Sequence, residues 1–74
     1  MASIYLEQYQ AIVARLVQAR KDAGLTQVEL AERLGQRQTF VSKYELGERR
    51  LDVAEFIEIC RAIGTEPTRL LTSY

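Results

Sequence analysis

The sequence contains no histidine, one cysteine and one proline, and these scarcities exclude most kinds of chemistry. Without histidine or a second cysteine, it has no metal-ligand spacing and no base that would activate a nucleophile, and it lacks a glycine-rich loop for a phosphate. Ser42 accordingly has no candidate base, and we interpret Glu55 and Glu58, which share a helix face, as solvated surface. We expect no catalytic site, no metal and no cofactor, and therefore no enzyme.

Long apolar runs are also missing. No stretch approaches the ~18 apolar residues of a membrane span, and no pattern marks a signal peptide, so we expect a cytoplasmic protein without membrane contact. Cys60 cannot form an internal disulfide, and its apolar helical surroundings indicate a small buried hydrophobe. With 74 residues, 47% of them hydrophobic, the chain is expected to fold as one domain over residues 1–74.

The formal net charge is zero, which taken alone argues against a nucleic-acid partner because phosphate-binding domains are usually basic. The charges are not evenly distributed, however. Residues 33–50 carry five cations and two acids, whereas residues 1–32 and 51–74 have net charges of −1 and −2. The positive charge is concentrated in residues 33–50. For the binding of a polyanion, the local electrostatic field of this segment matters more than the net charge of the whole chain.

Caps and apolar periodicity predict five helices and no strand. The second helix has the clearest boundaries: Thr26 is its N-cap, Glu29 completes a capping box, and Gly35 closes it. Leu25 and Leu30 are placed to form a hydrophobic staple around this cap. The other helices are predicted over residues 4–23, 38–46, 53–63 and 66–71.

The fourth helix repeats this pattern, with Asp52 and Glu55 as its capping box and Leu51 and Phe56 as its staple. Gly64 ends it. Either Thr65 or Glu66 caps the short fifth helix, and the sequence does not decide between them.

The third helix is amphipathic, and its polar side is free of acids. Phe40, Val41 and Tyr44 fall within about 100° of arc, which predicts that they face the core, and Glu45 lies at the boundary. The opposite side consists of Gln38, Thr39, Ser42 and Lys43.

These features resemble a known family. Two segments carry the resemblance: Leu-Thr-Gln-Val-Glu-Leu-Ala-Glu-Arg-Leu-Gly at 25–35 and Gln-Thr-Phe-Val-Ser-Lys-Tyr-Glu-Leu-Gly-Glu-Arg-Arg at 38–50. Together they resemble the helix-turn-helix of the phage repressor and Cro family, also called the XRE family. The resemblance covers about residues 20–71. It implies an all-α, five-helix bundle of the lambda repressor type, in which helices two and three form the motif at about residues 26–47. It further implies binding to double-stranded DNA, with the third helix in the major groove.

The resemblance also assigns roles to residues. It implies that Gln38 bonds to adenine N6 and N7, that Lys43 donates to guanine, and that Thr39 meets a thymine methyl. Gln27 matches a position that clamps a DNA phosphate at a helix N-terminus. The remaining phosphate candidates are Arg37, Ser42, Arg49 and Arg50. The competing interpretation of each is a solvated polar surface.

The same resemblance pairs Arg20 with Glu45, which would orient the motif and remove the acid from the DNA-facing field. Two residues depart from the family pattern. Arg37 stands where a small capping residue is common, so the third helix has no evident side-chain cap. Phe40 is bulkier than usual, and we interpret it as a packing residue.

The leading hypothesis is a sequence-specific transcriptional regulator that binds a near-palindromic operator as a homodimer. An antitoxin or restriction-modification controller with a protein partner, such as a toxin, would share the motif. A protein-interaction domain without DNA binding is favoured by the zero net charge and opposed by the acid-free face of the third helix. Two candidate dimer surfaces are the C-terminal Leu70, Leu71 and Tyr74, and the N-terminal Ile4, Tyr5, Leu6 and Tyr9.

Overall fold

The structure, a computed structural model, describes the backbone of residues 4–71 and the side chains of residues 6–71. Over this range the chain forms helices and contains no strand, so the predicted all-α class is confirmed. No helix in the described range is long and apolar enough to cross a bilayer. The helices are α1 (Ile4–Asp22), α2 (Gln27–Leu34), α3 (Gln38–Glu45), α4 (Val53–Ile63) and α5 (Pro67–Leu71).

Three of the predicted helices were one residue too long. The helix α1 ends at Asp22, and Leu46 is the C-cap of α3 rather than its last residue. The helix α5 begins at Pro67, whose fixed φ and missing N–H suit the first position of a helix. Tyr74 and the side chains of Ile4 and Tyr5, which were predicted for a dimer surface, lie outside the described residues.

Both predicted capping boxes are present. The Thr26 hydroxyl accepts from the Glu29 N–H at 3.0 Å, and the Glu29 carboxylate accepts from the Thr26 N–H at 2.9 Å. Asp52 and Glu55 exchange the same two bonds, at 2.7 and 3.0 Å, before α4. Each cap contributes about 1 kcal/mol and determines how the chain enters its helix.

One core unites all five helices. Cys60 is completely buried, as predicted, and burial raises the pKa of its thiol to about 11. Leu70 is only 8% exposed, so its prediction as part of a dimer surface is wrong: α5 turns this side chain inward. The buried cluster comprises Val13, Leu16, Leu30, Ala31, Val41, Tyr44, Ile59, Cys60, Ile63 and Leu70.

A tight turn joins α2 to α3. Gly35 has φ +67°, a left-handed conformation that residues with a Cβ adopt only with strain, and its N–H bonds back to the end of α2. Arg37 then starts α3 without a side-chain cap, as predicted. Phe40 is half-buried and packs against the core with an edge-to-face contact to Tyr44, which confirms its interpretation as a packing residue. This packing leaves the polar side of α3 uncovered.

Candidate nucleic-acid interface

The uncovered side of α3 carries positive charge and no exposed acid. Gln38, Thr39 and Lys43, the predicted base contacts, are all exposed, and Ser42 is half-buried beside them. The only acid in α3 is Glu45, and its side chain is only 7% exposed. The surface that α3 offers to a polyanion is therefore free of repelling charge.

Glu45 is neutralised by Arg20. Nε of Arg20 lies 2.7 Å from Oε2 of Glu45, and Nη2 lies 3.2 Å from Oε1. The Arg20 side chain is 9% exposed, so this is a buried, two-point ion pair between the two residues that the family resemblance pairs. The hydrogen bond that Arg20 donates to Glu45 raises the pKa of Arg20 above its ordinary value.

Arg20 also reaches the turn that precedes α2. Its Nη1 donates to the carbonyl oxygen of Leu25 at 2.7 Å, just before the N-cap of α2. One guanidinium therefore joins α1, the start of α2 and the end of α3, the three segments whose relative positions determine how α3 is presented.

A chain of side-chain hydrogen bonds continues from this ion pair to the exposed surface. Nε2 of Gln27 donates to Oε1 of Glu45 at 2.8 Å, and Nε2 of Gln38 donates to Oε1 of Gln27 at 2.7 Å. Sequence reasoning assigned Gln27 to a phosphate and Gln38 to a base, but it did not connect them. Nothing in the spacing of residues 27, 38 and 45 marks this contact, because it depends on the crossing of α2 over α3.

The carboxylate determines the orientation of both amides. An ionised carboxylate only accepts hydrogen bonds, so Gln27 must present its NH₂ group to Glu45 and its carbonyl oxygen to Gln38. Gln38 must in turn use its own NH₂ group toward Gln27. One N–H and the carbonyl oxygen of the Gln38 amide then remain available to a ligand at the start of α3.

Arg49, a predicted phosphate contact, is held by a carboxylate. Its Nη1 and Nη2 lie 3.0 and 2.7 Å from the two oxygens of Glu55, and its guanidinium stacks 4.8 Å from the centre of the Phe40 ring. Glu55 was interpreted as solvated surface, but its carboxylate is paired: Oε1 accepts from both the Asp52 N–H of the cap and Arg49, and Oε2 accepts from Arg49 alone. This pairing holds the pKa of Glu55 below its ordinary value.

Arg50 has a different environment. Its guanidinium stacks 4.3 Å from the centre of the Tyr9 ring, and within residues 6–71 no carboxylate pairs with it. The Tyr9 hydroxyl accepts from the Leu51 N–H at 2.9 Å, which ties this loop to α1. Of the two arginines, Arg50 presents the more available donors to a phosphate.

The pairing of Arg49 predicts a pH-dependent contribution to stability. The pKa of Glu55 is lowered in the folded state, so the stabilisation is present above the ordinary pKa of glutamate and is lost as pH falls through the lowered value. Arg49→Ala is expected to lower the melting temperature at neutral pH, with a difference from wild type that becomes smaller in acid, where only the contact with Phe40 is left to lose. Thermal melts from pH 2 to pH 7 measure this.

The matched control is Arg61→Ala, because Arg61 pairs with Glu58 at 3.3 Å on the exposed side of α4. We expect a weaker pH dependence from it. Equal pH profiles for the two variants would show that the two-point contact of Arg49 adds nothing specific.

Comparison with known proteins agrees with this geometry. The helix-turn-helix family model matches residues 16–70, which run from the second half of α1 through most of α5. A solved structure described as an XRE-family like protein from Pseudomonas syringae pv. tomato str. DC3000 is 56% identical and superposes with a TM-score of 0.91. The alignment covers 95% of this chain and 85% of that one. No curated protein matches the chain significantly.

The chain belongs to the XRE family of helix-turn-helix proteins. The predicted family and the predicted fold class, with α2 and α3 as the helix-turn-helix, are thereby confirmed. Membership indicates a regulatory protein that binds double-stranded DNA.

Proposed function

We propose that the protein is a cytoplasmic transcriptional regulator that binds a near-palindromic DNA operator as a homodimer. The α3 helix of each copy lies in the major groove, and residues 1–74 act as one domain without a catalytic step. The observation that carries this proposal is the fixed amide of Gln38, exposed at the start of α3 and aligned through Gln27 by the buried Glu45.

The free atoms of Gln38 match the edge of one base. Adenine offers N7 as an acceptor and its N6 amino group as a donor in the major groove, and the remaining N–H and carbonyl oxygen of Gln38 complement both. Thr39 and Lys43 are exposed on the same helix, where they would reach a thymine methyl group and guanine O6 or N7. We assign these three side chains to base recognition.

Phosphate contacts surround this set. The N–H groups at the start of α2, next to Gln27, carry the partial positive charge of a helix N-terminus and attract an anion. Gln27 still has one free N–H for the same phosphate. We also assign Arg37, Ser42 and Arg50 to contacts with DNA phosphates. Arg49 is expected to contribute less to phosphate binding, because Glu55 already pairs with its guanidinium.

The small number of proposed base contacts favours binding by two copies of the domain. Three side chains specify only a few base pairs, so one copy would discriminate poorly among genomic sites. Two copies on half-sites about 34–36 Å apart double the contacts and require an inverted repeat.

Selection of bound sites from a random duplex library tests the proposal. We expect enrichment of an inverted repeat with half-sites one helical turn apart. Binding to the selected site should weaken steeply with salt because phosphate contacts release counterions. Enrichment of single, unpaired half-sites would contradict the homodimer. Salt-insensitive binding without enrichment would instead favour a protein-interaction domain.

Lys43→Ala is expected to weaken binding to the selected site by about 1–3 kcal/mol and to relax the preference at one base pair, because a base-edge donor is lost. Titration against all four variants of each base pair measures this. Lys21→Ala is the matched control, since Lys21 is exposed on α1 and belongs to no part of the interface. An equal loss on every sequence would make Lys43 a phosphate contact instead.

A further inference from the structure

Tyr9 of α1 holds the loop between α3 and α4 through both its hydroxyl and its ring. The hydroxyl accepts a hydrogen bond from the N–H of Leu51 at 2.9 Å, and Cζ of Arg50 lies 4.3 Å from the centre of the ring. That N–H belongs to the peptide group that joins Arg50 to Leu51. One tyrosine therefore fixes both the backbone next to Arg50 and the charged end of its side chain.

The same loop is fixed to the end of α3. The N–H groups of Glu48 and Arg49 lie 2.9 and 3.3 Å from the carbonyl oxygen of Lys43, which we assign to base recognition. The carbonyl oxygen of Arg50 accepts from Nη1 of Arg49 at 3.3 Å. The position of Arg50 relative to α3 is thereby determined within the monomer.

The two neighbouring arginines of the loop are held by different kinds of contact. Arg49 directs two of its nitrogen atoms to the carboxylate of Glu55. Arg50 is attracted by the face of an aromatic ring, which occupies no N–H group with an acceptor. Within residues 6–71 its guanidinium makes no hydrogen bond or ion pair, so all five N–H donors remain available to a phosphate. Tyr9 therefore restrains Arg50 without competing for its donors.

Restraint before binding has a consequence for affinity. Immobilising a long side chain at an interface costs conformational entropy, and a side chain that is already ordered avoids part of this cost. Tyr9 lies before residues 16–70, the segment that the family model matches. The restraint on Arg50 is thus supplied by the N-terminal part of α1, outside the matched segment.

We propose that Tyr9 is a positioning residue for DNA binding, which holds Arg50 in the place from which Arg50 contacts a phosphate. The inference rests on the proposed function, because it requires DNA as the ligand. It adds a residue of α1 that acts on the DNA only through Arg50.

A double-mutant cycle tests whether Tyr9 acts through Arg50. Fluorescence anisotropy measures the binding of a mixed-sequence duplex to wild type, Tyr9→Leu, Arg50→Ala and the double variant. Tyr9→Leu should weaken binding about threefold to tenfold per copy, and equally on all sequences because a phosphate contact carries no sequence information. In the Arg50→Ala background it should cause no further loss. The same loss in both backgrounds would overturn the proposal.

Tyr9→Phe is a milder variant that keeps the ring and loses only the bond to Leu51, so the monomer should fold normally. We expect it to weaken binding less than Tyr9→Leu does, and again only when Arg50 is present. A loss that persists without Arg50 would contradict the positioning role.

Phe56→Leu is the matched control. Phe56 is another half-buried aromatic residue that packs against the core, and no arginine stacks on its ring within residues 6–71. Its replacement should lower the melting temperature but leave DNA binding unchanged at a temperature where every variant is folded. If Phe56→Leu weakens binding as much as Tyr9→Leu, the effect of Tyr9 is a general loss of packing and the proposal is wrong.

The salt dependence of binding separates this inference from the function on which it rests. Arg50→Ala should make the plot of log K against log salt concentration less steep by about 0.9 per copy, the contribution of one phosphate contact. An unchanged slope, with wild type still preferring its selected operator, would refute the role of Tyr9 and leave the proposed function standing. If wild type binds no duplex, the proposed function fails and the inference fails with it.

Discussion

Arg20→Ala is expected to lower the free energy of unfolding by about 3–5 kcal/mol, because it leaves the buried carboxylate of Glu45 without its partner. The substitution also removes the hydrogen bond to the Leu25 carbonyl. Small domains have total stabilities of about 5–15 kcal/mol, so this is a large fraction. Thermal melts should show a fall of at least about 12 °C, since a domain of this size loses roughly 4–8 °C per kcal/mol.

Lys21→Ala is the control, because the neighbouring Lys21 is exposed and should change the melting temperature little. Similar melting temperatures for Arg20→Ala and Lys21→Ala would show that the ion pair contributes no net stability.

A double replacement, Arg20→Met with Glu45→Leu, separates stability from recognition. Apolar residues of similar size can replace a buried ion pair at little cost, so the fold should be retained. Gln27 would nevertheless lose its acceptor, and the amide of Gln38 would no longer be aligned. We expect a stable protein with a weakened preference for its operator.

Gln38→Ala is expected to remove about 1–3 kcal/mol of discrimination at one base pair, which we assign as adenine–thymine, because a two-point contact to the base edge is lost. Competition among the four variants of that base pair measures the effect. The monomer should remain stable, because the Gln38 side chain is exposed and its one hydrogen bond within residues 6–71 is the bond to Gln27.

Two further variants test this assignment. Gln36→Ala, in the exposed turn before α3, should keep the full preference. Gln27→Ala should weaken binding on all sequences, because a proposed phosphate contact is lost. It should also reduce the preference at the same base pair, because the Gln27 side chain orients the amide of Gln38. A preference unchanged in Gln38→Ala would refute the base contact.

Local signals predicted the helices well. The capping boxes at Thr26 and Asp52 are short-range features, and each needs only the residue three positions later, so both were predictable from sequence. The errors at helix ends are single residues. The wrong placement of Leu70 has a different origin, because α5 is too short for its periodicity to reveal which face packs on the core.

The candidate nucleic-acid interface was only partly predictable from the sequence. The residues of α3 and the pair of Arg20 with Glu45 followed from the family resemblance. The bonds that connect Glu45 to Gln38 did not, because long polar side chains from different helices meet only once the crossing of α2 and α3 is known. The contact of Arg49 with Glu55 was missed because a carboxylate assigned to a cap still has a second oxygen.

The three residues that we propose as base contacts differ in how firmly they are held, and this has a consequence for directing the protein to new DNA sequences. Thr39 and Lys43 make no side-chain hydrogen bond or ion pair with the described residues, whereas Gln38 belongs to a chain that ends at Arg20. Libraries that vary positions 39 and 43 should therefore yield folded proteins with altered DNA-sequence preferences. Variation at position 38 would need a compatible partner at position 27, so the two positions should be randomised together.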